Sequence, residues 1–261
     1  MAKRVVVITG ASSGIGAALA QTLGERGAHS VLVARREAEL KAVAARSGEA
    51  LAVVADVTKR ADVKRVFDDA MSRFGQVDVW VNNAGRGITR MASELTDDDI
   101  DEMMLVNVKS AVYGMQAVLP HFKERGKGHI INVSSLLGRM PLAPFRSAYS
   151  ASKHALNALT ASLRMELRGS HPGITVSSVH PGVVATDFGL NAKHGGADSR
   201  ALPGAQPVDE VAKVIADLIE TPRADVYTRP GAREMIAAYY AAEDMGAAES
   251  KPPFFTQPPS R

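Results

Sequence analysis

The chain of 261 residues contains no cysteine, which excludes disulfides, thiolate nucleophiles and cysteine-based zinc sites. A protein without disulfides suits a reducing compartment, and the cytoplasm is the expected location. No stretch reaches the roughly 18 apolar residues that a membrane-spanning helix needs. Lys3-Arg4 followed by Val5-Val6-Val7-Ile8 resembles the start of a secretory leader, but the apolar run is short and glycines between Gly10 and Gly16 break it, so a first strand is expected there. A dominant charge is missing too. Lys and Arg number 31 against 28 Asp and Glu, and no block of basic residues forms. That balance points to a solvated surface of mixed sign, not to nucleic-acid binding, while a slight positive excess suits an anionic cofactor.

What is present is an alternation of strand and helix. Val5-Val6-Val7-Ile8 is β-branched without polar alternation, the pattern of a strand buried on both faces of a parallel sheet. It runs into Thr9-Gly10-Ala11-Ser12-Ser13-Gly14-Ile15-Gly16, and a helical segment, Ala17 to Arg26, ends at Gly27. Glycines between a strand and a helix have separate tasks: Gly10 allows the tight turn, Gly14 a close approach to phosphate, Gly16 close packing of helix on strand. The helix N-terminus then offers free N–H groups to a pyrophosphate. The second strand, Ser30 to Val33, ends at Ala34-Arg35-Arg36. NAD-binding units carry an acidic residue about 20 residues past the glycines. Arginines there argue for the 2′-phosphate of NADP, with Arg35 the expected grip and Arg36 the one better suited to opening a solvated helix. Helix Glu37–Arg46, strand Leu51–Ala55, helix Asp62–Phe74 and strand Val77–Val81 follow. Asp56 serves as a cap or an adenine contact, the strand-edge position favouring the second, and Thr58 is placed to cap the next helix. The expected fold is α/β, a doubly wound parallel sheet (a Rossmann fold) of about seven strands with helices on both faces.

The second half is richer in reactive groups. A helix from Asp97 to Phe122 carries Asn107 in its interior, where Asn is unfavourable by propensity. Strand His129–Val133 delivers Ser134-Ser135, and Tyr149-Ser150-Ala151-Ser152-Lys153 opens a helix whose apolar stripe is Ala155, Leu156, Leu159, Leu163 and Leu167. That stripe packs on the sheet or on a partner subunit. Tyr149 and Lys153 share one helix face, and a nearby ammonium lowers a phenol from its usual pKa of about 10. His154 and the other histidines are expected to be structural or exposed, and no metal site is expected.

TGASSGIG at 9–16, NNAG at 82–85, Asn107, Ser135, YSASK at 149–153 and HPGVVAT at 180–186 occur in order. Together they resemble the short-chain dehydrogenase/reductase family in its single-domain form, over about residues 3–230, and the arginine-tipped second strand resembles its NADP-preferring branch. The resemblance implies an NADP(H)-dependent oxidoreductase interconverting a carbonyl and a secondary alcohol. It makes Tyr149 the proton donor and acceptor, Lys153 the nicotinamide-ribose ligand, Ser135 the carbonyl's hydrogen-bond partner, and Asn107 the holder of a relay water. It assigns Gly10, Ser12, Ser13, Gly14, Ile15 and Gly16 to the pyrophosphate, and Asp56 with Val57 to adenine. Asn83, Ala84 and Gly85 fall to the ribose, and Pro181, Gly182, Val183 and Thr186 to the carboxamide.

Ser135 precedes Tyr149 by 14 residues, one more than is usual in the family. Ser134 is therefore an alternative, though Ser-x-x-Gly through Gly138 favours Ser135. His180 before Pro181 also departs from the pattern. A non-catalytic nucleotide-sensing regulator on the same fold is the alternative from another class, and a sugar-nucleotide epimerase the alternative enzyme. Residues 187–207, polar and Gly-rich, are expected to form a mobile lid over a small apolar substrate lined by Met140, Leu142, Pro144 and Phe145. A homodimer or homotetramer is implied. Residues 231–261 are expected to form a helix, Met235 to Ala248, and a Pro-rich tail that is disordered or docks through Phe254-Phe255.

Overall fold

The computed structural model describes residues 3–254. Seven parallel strands form one sheet: β1 (Val5–Thr9), β2 (His29–Ala34), β3 (Ala50–Val54), β4 (Val79–Asn82), β5 (Gly128–Val133), β6 (Ile174–His180) and β7 (Asp225–Tyr227), in the order 3-2-1-4-5-6-7. The doubly wound sheet read from the sequence is therefore the fold. The order reverses between β1 and β4, and a crevice at the C-terminal ends of strands on either side of such a switch is where ligands bind.

β1 shows why the run was unalternated. Val6 and Ile8 face one apolar layer with helices α1 (Gly14–Glu25), α2 (Glu37–Ala44) and α7 (Val208–Glu220). Val5 and Val7 face the other, with α3 (Arg60–Phe74), α5 (Ser110–Arg125) and α6 (Ser147–Ser170). Both faces are dry, so both sets of side chains must be apolar. The expected long helix is α4 (Asp97–Met104) continuing into α5 through a π-helical turn, Leu105–Lys109, that contains Asn107. On α6, Leu156 and Leu167 are buried, but Leu159 is 41% exposed, so the expected stripe does not all face the sheet. The buried face carries polar Ser152, Lys153, Asn157 and Thr160 instead.

A buried polar chain fixes how β4, β5 and α6 sit together. Trp80 Nε1 donates to Asn82 Oδ1 (2.9 Å), Asn82 Nδ2 to Asn132 Oδ1 (2.8 Å), and Asn132 Nδ2 to Thr160 Oγ1 (2.8 Å). Each group has a partner, so the chain costs little and specifies a register that apolar contacts alone would not.

Thr58 does not cap α3. Lys59 takes that position, while Asp56 Oδ1 accepts from both the backbone N–H and the hydroxyl of Thr58. The C-terminal segment forms α8 (Ala232–Tyr240) and α9 (Met245–Glu249), broken where one helix was expected. Ile236 and Tyr239 of α8 pack on Leu136 and Met140, and Phe254 joins them, its ring 5.3 Å from that of Tyr239. Phe255 lies outside the described residues. Met140 and Leu142 thus lie in the cluster beneath α8.

Gly114 of α5 lies against the polar chain: a Cβ there would come within 2.3 Å of Asn82 Oδ1 and 2.4 Å of Trp80 Nε1. Gly114→Ala should therefore lower stability by about 1–3 kcal/mol by overpacking. Thermal unfolding reads this as a drop of several degrees, and an unchanged midpoint would refute the role given to this contact.

Candidate active site

The turn after β1 is built to take an anion. Gly10 and Gly14 have φ of +68° and +54°, conformations that side chains rarely adopt. A Cβ on Gly10 would meet Ala84 Cα at 2.8 Å, and one on Gly16 would meet the Gly10 carbonyl at 2.5 Å. The turn is thus pressed onto the Asn83-Ala84 segment after β4. Asn83 braces it, donating from Nδ2 to the carbonyls of Thr9 (2.9 Å) and Gly10 (3.2 Å). The side-chain nitrogen of Asn83 is thus occupied with the turn, and so is its backbone N–H, which donates to Thr9 Oγ1 (3.0 Å). Ser13 starts α1 without a side-chain capping bond, and the first turn has no acidic residue. Its N–H groups remain free for phosphate, and a dinucleotide fits this cradle. Ile15, by contrast, packs partly into the apolar layer beneath.

Arg36 opens α2, as expected, but its guanidinium does more than that. Arg36 turns back to the cradle, donating from Nη2 to Ser12 Oγ (3.0 Å) and Ser13 Oγ (2.7 Å). Arg35 lies toward Asp56, whose carboxyl is affected by several groups. Burial would raise that carboxyl, but the Thr58 hydrogen bonds, with Arg35 and Lys59, hold it below the usual range. Val57 packs partly against the apolar layer.

Ser135, Tyr149 and Lys153 meet beyond the ends of β5 and β6. Lys153 is 3% exposed, and its Nζ donates to the Val133 carbonyl at 2.8 Å. Burial alone brings its pKa down to about 8. Tyr149 is buried too. Burial pushes its phenol up to about 12, while the Ser135 hydroxyl and the Arg146 charge pull the other way. The neighbouring lysine was expected to depress the phenol; desolvation outweighs it, with Nζ lying 5.7 Å from the ring centre. Ser134 turns away, its hydroxyl donating to the Lys153 carbonyl, which leaves Ser135 as the serine that faces Tyr149.

Asn107 occupies the π turn, a break in the helix that lets its amide reach sideways. Oδ1 accepts from the Arg86 N–H (2.9 Å), and Nδ2 donates to the Arg86 carbonyl (3.0 Å) and Ser152 Oγ (3.1 Å). Ser152 in turn donates to the Tyr149 carbonyl (2.7 Å). Gly85 separates Asn107 from Lys153: a Cβ would lie 3.0 Å from Asn107 Oδ1 and 3.5 Å from Lys153 Nζ.

His180 supports the serine from behind. Fully buried, it places Nδ1 3.4 Å from the Ser135 carbonyl and Nε2 3.1 Å from Asp225 Oδ1. Arg139 and Arg164 also bind Asp225, whose carboxyl is drawn down to about 2, chiefly by its His180 bond. This network could not be found by spacing, although His180 stood out as a departure from the family pattern. Ahead of it, the Pro181 carbonyl accepts from the Leu136 N–H (2.8 Å), and the Val183 carbonyl accepts from the Gln206 N–H (2.9 Å). Gly182 lies against Arg229 and Leu136, and Thr186 faces Gly14, 3.4 Å from where a Cβ would be. The two halves of the site thus meet at Gly14 and Thr186.

Residues 187–207 cross above. Phe188 sits with its ring 5.5 Å from that of Tyr149. Lys193 binds Asp98, Asp99 (3.0 Å) and Glu102 (3.1 Å), and His194 binds buried Asp99 at 2.8 Å. Burial would raise the Asp99 carboxyl, but His194, Lys193, the Thr96 backbone and Arg90 together hold it well below the carboxylate range.

These features accord with three comparisons. The profile of the short chain dehydrogenase family matches residues 4–195. An uncharacterized oxidoreductase of Bacillus subtilis (strain 168), YxnA, is 37% identical over 232 residues, which cover 86% of this chain and 65% of that relative. Among solved structures, a short-chain dehydrogenase/reductase from Burkholderia phymatum in complex with NAD superposes with a TM-score of 0.83 at 25% identity, covering 99% of this chain and 98% of that one. An alcohol dehydrogenase from Thermococcus sibiricus complexed with 5-hydroxy-NADP gives 0.76 at 29% identity, covering 86% of this chain and 95% of that one. The neighbours thus bind either form of the nicotinamide dinucleotide. The chain belongs to the short-chain dehydrogenase family of oxidoreductases.

Proposed function

We propose that this chain is an NADP(H)-dependent oxidoreductase that interconverts a carbonyl and a secondary alcohol, with Tyr149 as its acid and base. The observation that carries the reading is the meeting of Ser135, Tyr149 and Lys153 at the sheet edge that also holds the glycine cradle. When bound, the nicotinamide supplies or accepts the hydride. The chain's residues orient the substrate and manage the proton. Ser135 donates a hydrogen bond to the substrate oxygen and so fixes its pose. In reduction the phenol of Tyr149, kept protonated by burial, gives its proton to the oxygen as negative charge gathers there. In oxidation the same oxygen takes the proton back, and the ammonium of Lys153 steadies the phenolate. The Lys153 ammonium also holds the nicotinamide ribose. Asn107 keeps the π turn open beside Lys153, where a water can carry protons to solvent.

NADP is the preferred form in this reading because a 2′-phosphate would meet a guanidinium and two serine hydroxyls at Arg36, Ser12 and Ser13, with no acidic residue at the end of β2. Residues 187–207 cover the substrate, and Phe188 provides an apolar surface over Tyr149.

Three outcomes are expected. Tyr149→Phe should reduce turnover of ketones with NADPH at least a hundredfold, the scale of general acid–base catalysis; full turnover in that variant would defeat the mechanism. Arg36→Ala should raise the KM for NADPH about 10–100-fold while leaving NADH little changed, from loss of a charge-assisted bond. An equal rise for both cofactors would mean that Arg36 only shapes the turn. Limited proteolysis within 187–207 should slow when NADPH is added, and identical cutting with and without it would reject the cover.

A further inference from the structure

The wall that approaches Tyr149 from the side of Gly87 contains a guanidinium with no counter-ion. Each neighbouring cation on this rim is matched: Arg86 with Glu102, Arg90 with Asp99, Lys193 with Asp98, Asp99 and Glu102, and Arg200 with Asp187 and Asp198. Among the described residues no carboxylate lies within ion-pair distance of Arg146. Within these residues its one side-chain hydrogen bond runs from Nη1 to the Ile88 carbonyl (3.2 Å). Among the described residues, Nε and Nη2, the pair of donors that point the same way along one edge of a guanidinium, have no acceptor. Neither is sealed away from solvent, unlike Nε of Arg139 and Nε of Arg229.

The backbone holds this group in place. Arg90 donates to the Phe145 carbonyl (2.8 Å), and the Ser147 hydroxyl donates to the Arg90 carbonyl (2.7 Å), clamping residues on either side of Arg146. Glycines make room for the guanidinium. A Cβ on Gly87 would come within 3.1 Å of Nη1, and one on Gly196 within 3.1 Å of Nη2. The same Gly87 position would meet Phe188 Cε1 at 3.0 Å, and the Phe188 ring lies 5.5 Å from that of Tyr149. Arg146 and Phe188 thus both press on Gly87, and the Phe188 ring carries that wall on to Tyr149. The charge of Arg146 reaches the Tyr149 phenol, and burial works against that charge. A partly buried charge without a partner is costly, and a rim that pairs each other cation leaves this one for something that arrives.

We propose that Arg146 recognises a carboxylate on the substrate, close to the reacting carbonyl, so that the physiological pair is an oxo acid and the corresponding hydroxy acid. The inference rests on the carbonyl–alcohol reading above. A planar carboxylate matches the side-on fork of Nε and Nη2, while the carbon skeleton lies on Phe188. The carboxylate is a spectator in the reaction: it sets which carbonyl faces Ser135 and Tyr149 and is itself unchanged.

The test uses the full chain with NADPH and a panel of 2-oxo, 3-oxo and 4-oxo acids, each beside its methyl ester. Wild type should prefer at least one acid over its ester by tenfold or more in kcat/KM. Arg146→Gln should lose about 10–100-fold on that acid and little on the ester, and Arg146→Lys should recover part of the loss. If acid and ester fall together in Arg146→Gln, the residue merely supports the loop, and the proposal is overturned. It is also overturned if wild type prefers every ester.

Calorimetric titration of the hydroxy acids, with and without NADP+, gives a reading independent of turnover. Binding that disappears in Arg146→Gln supports the proposal, and equal binding in both rejects it. Failure of the broader reading looks different: no carbonyl compound is turned over, acid or ester, whatever the titration shows.

Discussion

An ammonium held inside the protein sets the terms for the groups around it. Desolvating a lysine costs several kcal/mol, and Lys153 recovers part of that through one strong bond to the Val133 carbonyl at the end of β5. The rest of the cost shows as a pKa near 8, low enough for proton exchange close to neutrality. Gly85 must lack a side chain because Lys153 and Asn107 close on it from both sides. The helix carrying Asn107 must widen into a π turn for its amide to reach Arg86 and Ser152. Ser134, the near twin of Ser135, is spent on the Lys153 carbonyl. Cradle, serine and tyrosine are arranged around a charge that would be expelled from any looser setting.

The position of α6 is fixed by a different means. Trp80, Asn82, Asn132 and Thr160 run as one hydrogen-bonded line from β4 across β5 to the middle of that helix. Apolar packing tolerates a helix that slides by a fraction of a turn; a line of amides and hydroxyls does not. The tyrosine and lysine at the N-terminal end of α6 inherit that fixed register. The buried face of the helix accordingly mixes these polar groups with Leu156 and Leu167 of the apolar stripe.

The sheet was legible because burial on both faces leaves an unalternated β-branched run, and the cradle because three glycines between a strand and a helix have few other uses. The order of motifs located the serine, tyrosine and lysine. Other features depend on direction or distance, which spacing does not encode. Arg35 and Arg36 differ only in which way the chain turns after β2, so the contact of Arg36 with the cradle could not be read. The Tyr149 phenol was judged from one neighbouring charge, without the desolvation that dominates it. Leu159 fits a helical stripe yet faces outward, and the packing of Met140 beneath α8 was not legible because that helix lies far along the chain. His180 meets Asp225 across 45 residues of sequence, a separation at which no local pattern survives.

That last contact bears on how the protein is made. Each recognisable motif has left the ribosome once Thr186 is out, and a chain of that length already has its phosphate turn, its serine and its tyrosine–lysine pair. It lacks β7, and with it the carboxylate that anchors His180 behind Ser135. It also lacks α7, which covers α1 on the nucleotide side. A domain folds as a unit, so the nascent chain holds its motifs before it holds their alignment. The active site is finished by a segment in which no motif appears.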